Sequence, residues 1–287
     1  MRLSAENTAV VLDSTADLPQ PEQRHPNWRL VPLYVRLGDE TLRDHVEISA
    51  DEFYRRLPTT SPPPTTSQPT PADFEAVYER LGAYERILAV VLSGKLSGTA
   101  ESARLAAEAS SSGARVRVLD SGVTSGGTVI LADAIQRRLE RGVGDEEIDA
   151  LVERFRRERG LLFTVDTLDY LVRGGRIGKA AGLAGQLLSV KPILAFDEGE
   201  VAPLKRVRGR HKALAELERI FTESTEDVAT LHVGIGHAAA EAEARQLLER
   251  LRADRPSASY DVFTTLGPVI GAHGGPGTLG LFWFDDS

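Results

Sequence analysis

Five short stretches of this 287-residue chain hold the residues whose types and spacing could do chemistry. Asp13-Ser14-Thr15-Ala16-Asp17 follows an apolar run. In a parallel sheet that is where ligands sit, outside the carboxyl ends of strands; the same residues also suit a helix start, with Ser14 as N-cap and Asp17 three places on. Thr65-Thr66-Ser67-Gln68-Pro69 offers consecutive hydroxyls at the end of a proline-rich stretch, where restricted backbone freedom favours fixed hydrogen bonds. Ser93-Gly94-Lys95-Leu96-Ser97-Gly98-Thr99 lies between an apolar run and an Ala-rich segment. It predicts a strand-to-helix turn whose free N–H groups and hydroxyls suit an anion, with Ser97 either capping the helix or bonding a carboxylate.

The other two stretches carry cations and a histidine. Arg173-Gly174-Gly175-Arg176 places two glycines inside a helical pattern at roughly 1 kcal/mol each relative to Ala, so a backbone requirement must offset them, and the break aims Arg176. Arg206 and Arg208 end a later strand and are further anion-facing candidates. Gly267-Pro268-Val269-Ile270-Gly271-Ala272-His273-Gly274-Gly275-Pro276-Gly277 reads as a tight turn presenting His273, the one histidine of six in a context that suggests function.

Several chemistries are excluded. Leu96 stands where a P-loop needs Ser or Thr, and no Gly-x-Ser-x-Gly elbow occurs. Gly234-Ile235-Gly236-His237-Ala238-Ala239 imitates a dinucleotide turn but sits late in the chain, with no βαβ unit and terminal acid after it. Without cysteine there are no disulfides, thiolate metal sites or cysteine nucleophiles; no His- or carboxylate-based metal motif appears either. A net charge of −8 argues against a nucleic-acid surface. No apolar run approaches a membrane span, so no stable membrane insertion is expected, and the N-terminus lacks a signal-peptide pattern. The expected location is cytoplasmic.

The elements that must position these groups alternate between short β-branched runs and longer helical patterns, the mark of helix-covered parallel sheets. Strands are expected at 8–12, 30–37, 86–92 and 115–119, helices at 50–57, 72–81, 98–109, 127–141 and 145–159, and an irregular loop at 58–71. After Gly160 the pattern is mixed: strands at 161–165, 192–196, 201–207, 230–235, 259–264 and 280–284, with Asp197-Glu198-Gly199 as a hairpin turn. Helices are expected at 168–188, broken by the glycine pair, and at 210–221 and 238–251. The expected fold is α/β in two domains, an N-terminal parallel-sheet domain (1–159) and a C-terminal mixed-sheet domain (160–287).

Six blocks, VVLDSTADLP, TTSQPTPADF, LSGKLSGTAESA, LDYLVRGGRIGKAAGLAGQLLSVKPIL, VRGRHKA and GPVIGAHGGPGTLGLFW, resemble the DegV family in order and spacing over nearly the whole chain. The resemblance implies a DegV-like pair of α/β domains with a long-chain fatty acid in a tunnel, acting as the lipid-binding subunit of a separate fatty acid kinase. It implies no catalytic residue, no metal and no cofactor beyond the bound acid. Carried over, the carboxyl-binding hydroxyls fall on Thr65 or Thr66, on Ser97 and on Ser93, and the kinase-facing mouth on Arg176, Arg208 and His273. Ser93 precedes Gly94-Lys95 where the family commonly reads Ser-Ser-Gly, and His273-Gly274 replaces a commoner His-Thr. The alternative is a stand-alone hydrolase using Ser97 and His273 with an acid such as Asp13.

Overall fold

The computed structural model describes residues 1–110, 112–183 and 190–287. Its first half contains strands β1 (Thr8–Asp13), β2 (Trp28–Val31), β3 (Tyr34–Leu37), β4 (Glu40–Arg43), β5 (Thr65–Ser67), β6 (Arg86–Val91) and β7 (Val116–Asp120). The helices there are α1 (Pro21–Arg24), α2 (Ala50–Arg56), α3 (Pro71–Arg80), α4 (Thr99–Ala109), α5 (Gly126–Arg141) and α6 (Asp145–Glu158). The second half adds β8 (Gly160–Thr164), β9 (Val190–Asp197), β10 (Glu200–Arg208), β11 (Leu231–His237), β12 (Ser259–Thr265) and β13 (Leu279–Asp285). Its helices are α7 (Asp169–Arg173), α8 (Arg210–Ser224), α9 (Glu241–Asp254) and α10 (Pro268–Gly274).

β1 is buried at all six positions, which is what a strand covered by helices on both faces requires. It pairs in parallel with β2 and β6, and β6 with β7, giving the order β2-β1-β6-β7. The chain runs outward from β1 to β2 and returns to the opposite side at β6. The order therefore reverses between β1 and β6, and the loops leaving these strands diverge to open a crevice at their carboxyl ends.

The second sheet has the order β10-β9-β8-β13-β11-β12, antiparallel throughout except for β11–β12. The β9–β10 hairpin turns on Glu198 and Gly199, both at positive φ as a two-residue hairpin loop of this kind needs. Helices α3 and α4 cover the outer face of the parallel sheet, and α8 and α9 the outer face of the second. Between the sheets lies α5, buried on nearly every side, with α6 offering Ile148, Leu151, Val152 and Phe155 at helical spacing. The largest core draws on both sides of the 159/160 border, joining Val10, Leu88 and Ile135 to Leu161, Phe163 and Phe282.

Four local expectations need correction. The strand at 30–37 is two strands, because Pro32 has no N–H to continue a ladder; β2 stays in the parallel sheet and β3 joins a small antiparallel sheet, β4-β3-β5. The loop at 58–71 contains β5, an edge strand, and a 3-10 turn at Leu57–Thr59. The glycine-rich stretch around His273 is α10, started by Pro268. The region 168–188 forms α7 and a separate 3-10 segment, Gly178–Leu183; its last five residues lie outside the described ones.

Candidate functional site

The carboxyl ends of all four parallel strands open onto one cavity of about 350 Å³. Thr15 follows β1, Leu33 follows β2, Leu92, Leu96 and Ser97 follow β6, and Thr124 and Ser125 follow β7; all line it. The opposite wall is the inner face of the second sheet, with Val201, Phe196, Leu161, Phe163 and Phe282. Val269 and Ile270 of α10 complete the enclosure.

Two of the lining hydroxyls are already engaged by carboxylates. Thr15 Oγ1 donates to Asp13 Oδ1 (2.5 Å), and Ser125 Oγ to Asp17 Oδ2 (2.5 Å). Asp13 also accepts from Leu92 N (2.6 Å), so it ties the loop after β1 to the loop after β6 at the point where the sheet order reverses. Burial pushes its carboxyl up to about 6, against the opposing hydrogen bonds from Thr15 and Leu92. Asp17 accepts from Gly267 N (2.7 Å), and its own carbonyl accepts from Thr264 Oγ1 (2.7 Å), fastening the first half to the second. The Asp13–Asp17 stretch thus acts as a clasp. Its cap is Asp13 and not Ser14: Asp13 receives Thr15 N, while Ser14 Oγ receives Leu33 N.

Polar groups converge at one end of the cavity. Thr66 Oγ1 and His273 Nε2 are 2.8 Å apart. Ser97 and Gln68 line the same region, Ser97 Oγ lying 2.9 Å from Thr99 Oγ1 and Gln68 Nε2 donating to Ser102 Oγ (2.9 Å). Gly98 holds the N-cap position of α4, where a Cβ would run into the Gln68 amide, and the Ser97 hydroxyl just before it accepts from Thr99 N (3.3 Å), so Ser97 both lines the cavity and satisfies the helix start. Arg176 is exposed and spans the mouth, donating from Nε to Leu96 O (3.0 Å) and from Nη1 to Gly174 O (2.8 Å).

The glycine pair has two separate reasons. Gly175 sits at φ +68°, and Gly174 is where His273 Nδ1 packs, 2.0 Å from the place a Cβ would take. That nitrogen is buried with no hydrogen-bond partner among the described residues. Burial, aided by the Arg176 charge, pushes the His273 imidazole down to about 4, so the ring is neutral near pH 7.

The structure therefore gathers Thr66, Ser97, Arg176 and His273, and leaves three other candidates outside. Thr65 is exposed, because the alternation of β5 turns it to the face opposite Thr66. Ser93 Oγ is buried away from the cavity wall, donating to Gly199 O (2.6 Å) and accepting from Lys95 N. Arg208 is exposed on the edge strand β10 and takes no part in the wall. Nor do the described residues form a hydrolase triad: His273 faces Thr66, Ser97 faces Thr99, no carboxylate among the described residues meets Nδ1, and Asp13 is engaged elsewhere. The residues that sequence reasoning missed are the apolar wall, Leu161, Phe163 and Phe282 above all. Their signal is weak: β8 and β13 are apolar at nearly every position, which marks strands buried on both faces without telling which face is hollow.

Two sheets built around one largely apolar cavity with a polar mouth define an α/β binding fold. The chain belongs to the DegV family: the family described as "Uncharacterised protein, DegV family" matches residues 7–286. A DegV family protein from Thermus thermophilus, described for its fatty acid binding, superimposes with a TM-score of 0.90 at 37% identity, covering 97% of this chain and 99% of that one. DegV from Bacillus subtilis, described as a fatty acid binding protein, gives 0.86 at 32% identity, with 97% and 99% covered. A fatty acid-binding protein of Thermotoga maritima is 35% identical over 283 residues, 95% of this chain and 96% of its own length. Among the described residues no helix is long and apolar enough to cross a membrane.

Proposed function

We propose that this protein holds one long-chain fatty acid between the units 1–159 and 160–287 and presents its carboxyl group to a separate cytoplasmic kinase, which forms the acyl phosphate. The carrying observation is an apolar cavity whose polar groups Thr66, Ser97, His273 and Arg176 meet at one end. The relatives described as fatty acid binding support the same reading.

The physical division of labour follows. Burying about 14 methylenes at ~0.8 kcal/mol each is worth on the order of 10 kcal/mol before ordering costs, so the apolar wall supplies affinity. The hydroxyls have a smaller task, satisfying a carboxyl that would otherwise be buried unpaired. Thr66 and Ser97 can donate to a carboxylate or accept from a protonated acid. Arg176 Nη2, without a partner among the described residues, faces the added charge of a phosphorylated product.

Loading the purified protein with a mixed pool of acids, followed by solvent extraction and mass spectrometry, recovers about one equivalent of long-chain acid on this reading. Recovery of none sinks it. The kinase half is tested separately: Arg176→Ala retains the acid while its phosphorylation by added kinase falls, and equal loss of both would show that Arg176 serves binding.

A further inference from the structure

One aromatic ring of the cavity wall, Phe282, stands well away from the polar cluster at Thr66 and His273. On β13 the even-numbered residues Gly280 and Phe282 line the cavity, following Thr278 just before the strand. The odd-numbered Leu279, Leu281 and Trp283 face the core under α8 and α9. Antiparallel pairing sets Gly280 opposite Phe163 and Phe282 opposite Leu161. Thr278 marks the mouth end, since its hydroxyl donates to the carbonyl of Gly274, next to His273. At ~3.3 Å per residue, Phe282 lies roughly 13 Å further along the strand. The next residue on that face, Phe284, is no longer wall: it is fully buried against Phe155, ring centroids 5.1 Å apart, with the Arg154 guanidinium over its ring.

Glycines from three elements make room for the Phe282 ring. A Cβ on Gly126 would lie 2.9 Å from it, one on Gly280 3.0 Å, and those on Gly127 and Gly236 3.4 Å. Gly126 and Gly127 open α5, where glycine is a poor helix former, and Gly236 lies within the paired strand β11. The space left by these missing side chains is what the ring occupies.

We propose that Phe282 is the stop that sets how long an acyl chain the cavity accepts, with the surrounding glycines holding its ring across the end. The inference rests on the fatty-acid reading above. Each methylene that finds room raises affinity ~4-fold and each that does not is rejected, so a stop of this kind shows as a cut-off in chain length.

The test is competitive loading of wild type, Phe282→Ala, Phe282→Leu and Gly280→Ala with an equimolar pool of saturated acids from dodecanoic to docosanoic, read by mass spectrometry of the retained acids. Phe282→Ala is expected to enrich the longest acids over the wild-type optimum by about tenfold or more, equivalent to two or more accommodated methylenes. Phe282→Leu shifts the profile the same way by less and serves if the Ala variant fails to fold. Gly280→Ala, which crowds the ring from the mouth side, shifts it to shorter acids. A wild-type protein that retains acid, with Phe282 variants of unchanged profile, overturns the stop. A wild-type protein that retains none overturns the fatty-acid reading first and the stop with it.

Discussion

Thr66 Oγ1 lies 2.8 Å from His273 Nε2, joining an edge strand of the first half to a short helix 207 residues later. The bond puts a hydroxyl and a neutral imidazole side by side at the mouth of an apolar cavity. It also separates the two threonines of the Thr65-Thr66 pair, because only one of them faces inward.

Replacing Thr66 by Val keeps shape and removes the hydroxyl. A hydrogen bond to a charged group is worth about 1.5–3 kcal/mol, so fatty-acid affinity falls by roughly 10- to 100-fold in a fluorescent-acid displacement titration. Thr65→Val, on the exposed face, stays within about twofold of wild type. Similar losses in the two variants would show that β5 binds through its backbone.

His273 provides a pH signature. Its folded value of about 4 lies below the ordinary ~6.5, so between these the unfolded chain binds more protons. Stability from this group is complete above pH ~6.5 and is lost as pH falls toward 4. Denaturant melts at pH 6.5 and 4 are expected to show wild type losing about 1–3 kcal/mol more than His273→Gln over that range. A ring titration midpoint near 6.5 by NMR would refute the desolvated environment.

Much of the fold was legible because β1 and β6 are short, uniformly apolar runs followed by polar turns, a pattern few structures other than a covered parallel strand produce. What was hidden depended on distant partners. Thr66 and Thr65 look alike until β5 pairs with β3. Ser93 reads as a ligand until the hairpin of β9 and β10, 106 residues away, takes its hydroxyl. α10 was obscured by its glycines, yet one of them, Gly271, allows close packing: a Cβ there would meet Tyr54 Oη at 2.6 Å. Composition marks such glycines as breakers, whereas the contact explains them.

The two glycines before Arg176 are expected to respond differently to alanine. At Gly174 the backbone is ordinary for helix, and Ala on an open site would stabilise by about 0.4–1 kcal/mol. Here the added Cβ displaces His273 from Thr66, so Gly174→Ala weakens acid binding much as Thr66→Val does. Gly175→Ala meets no atom within 4 Å and suffers only left-handed strain of roughly 1–2 kcal/mol. It lowers Tm and leaves affinity alone. Identical effects in both assays would remove Gly174 from the mouth.

Asp44 is the fully buried carboxyl most at odds with its surroundings. Among the described residues both oxygens lack a hydrogen-bond partner; the Ser14 hydroxyl and Val269 N–H ease the charge without reaching bonding geometry. Burial raises this group to about 7, against the pull of His45. His45 is itself raised: burial opposes its charge, but the contact with Asp17 Oδ1 (3.4 Å) and the nearby Asp44 outweigh that. For Asp44 the folded state binds more protons than the unfolded one from pH ~3.9 to about 7, so its contribution is most favourable below that range and is lost as pH rises through it. Asp44→Asn removes the titration while keeping the shape. Relative to wild type it is expected to gain stability between pH 5 and pH 8, by about 2–3 kcal/mol. Urea melts at both pH values measure the difference, and an Asn variant that loses stability equally at both would show that the carboxylate is held ionised by contacts stronger than those around it here.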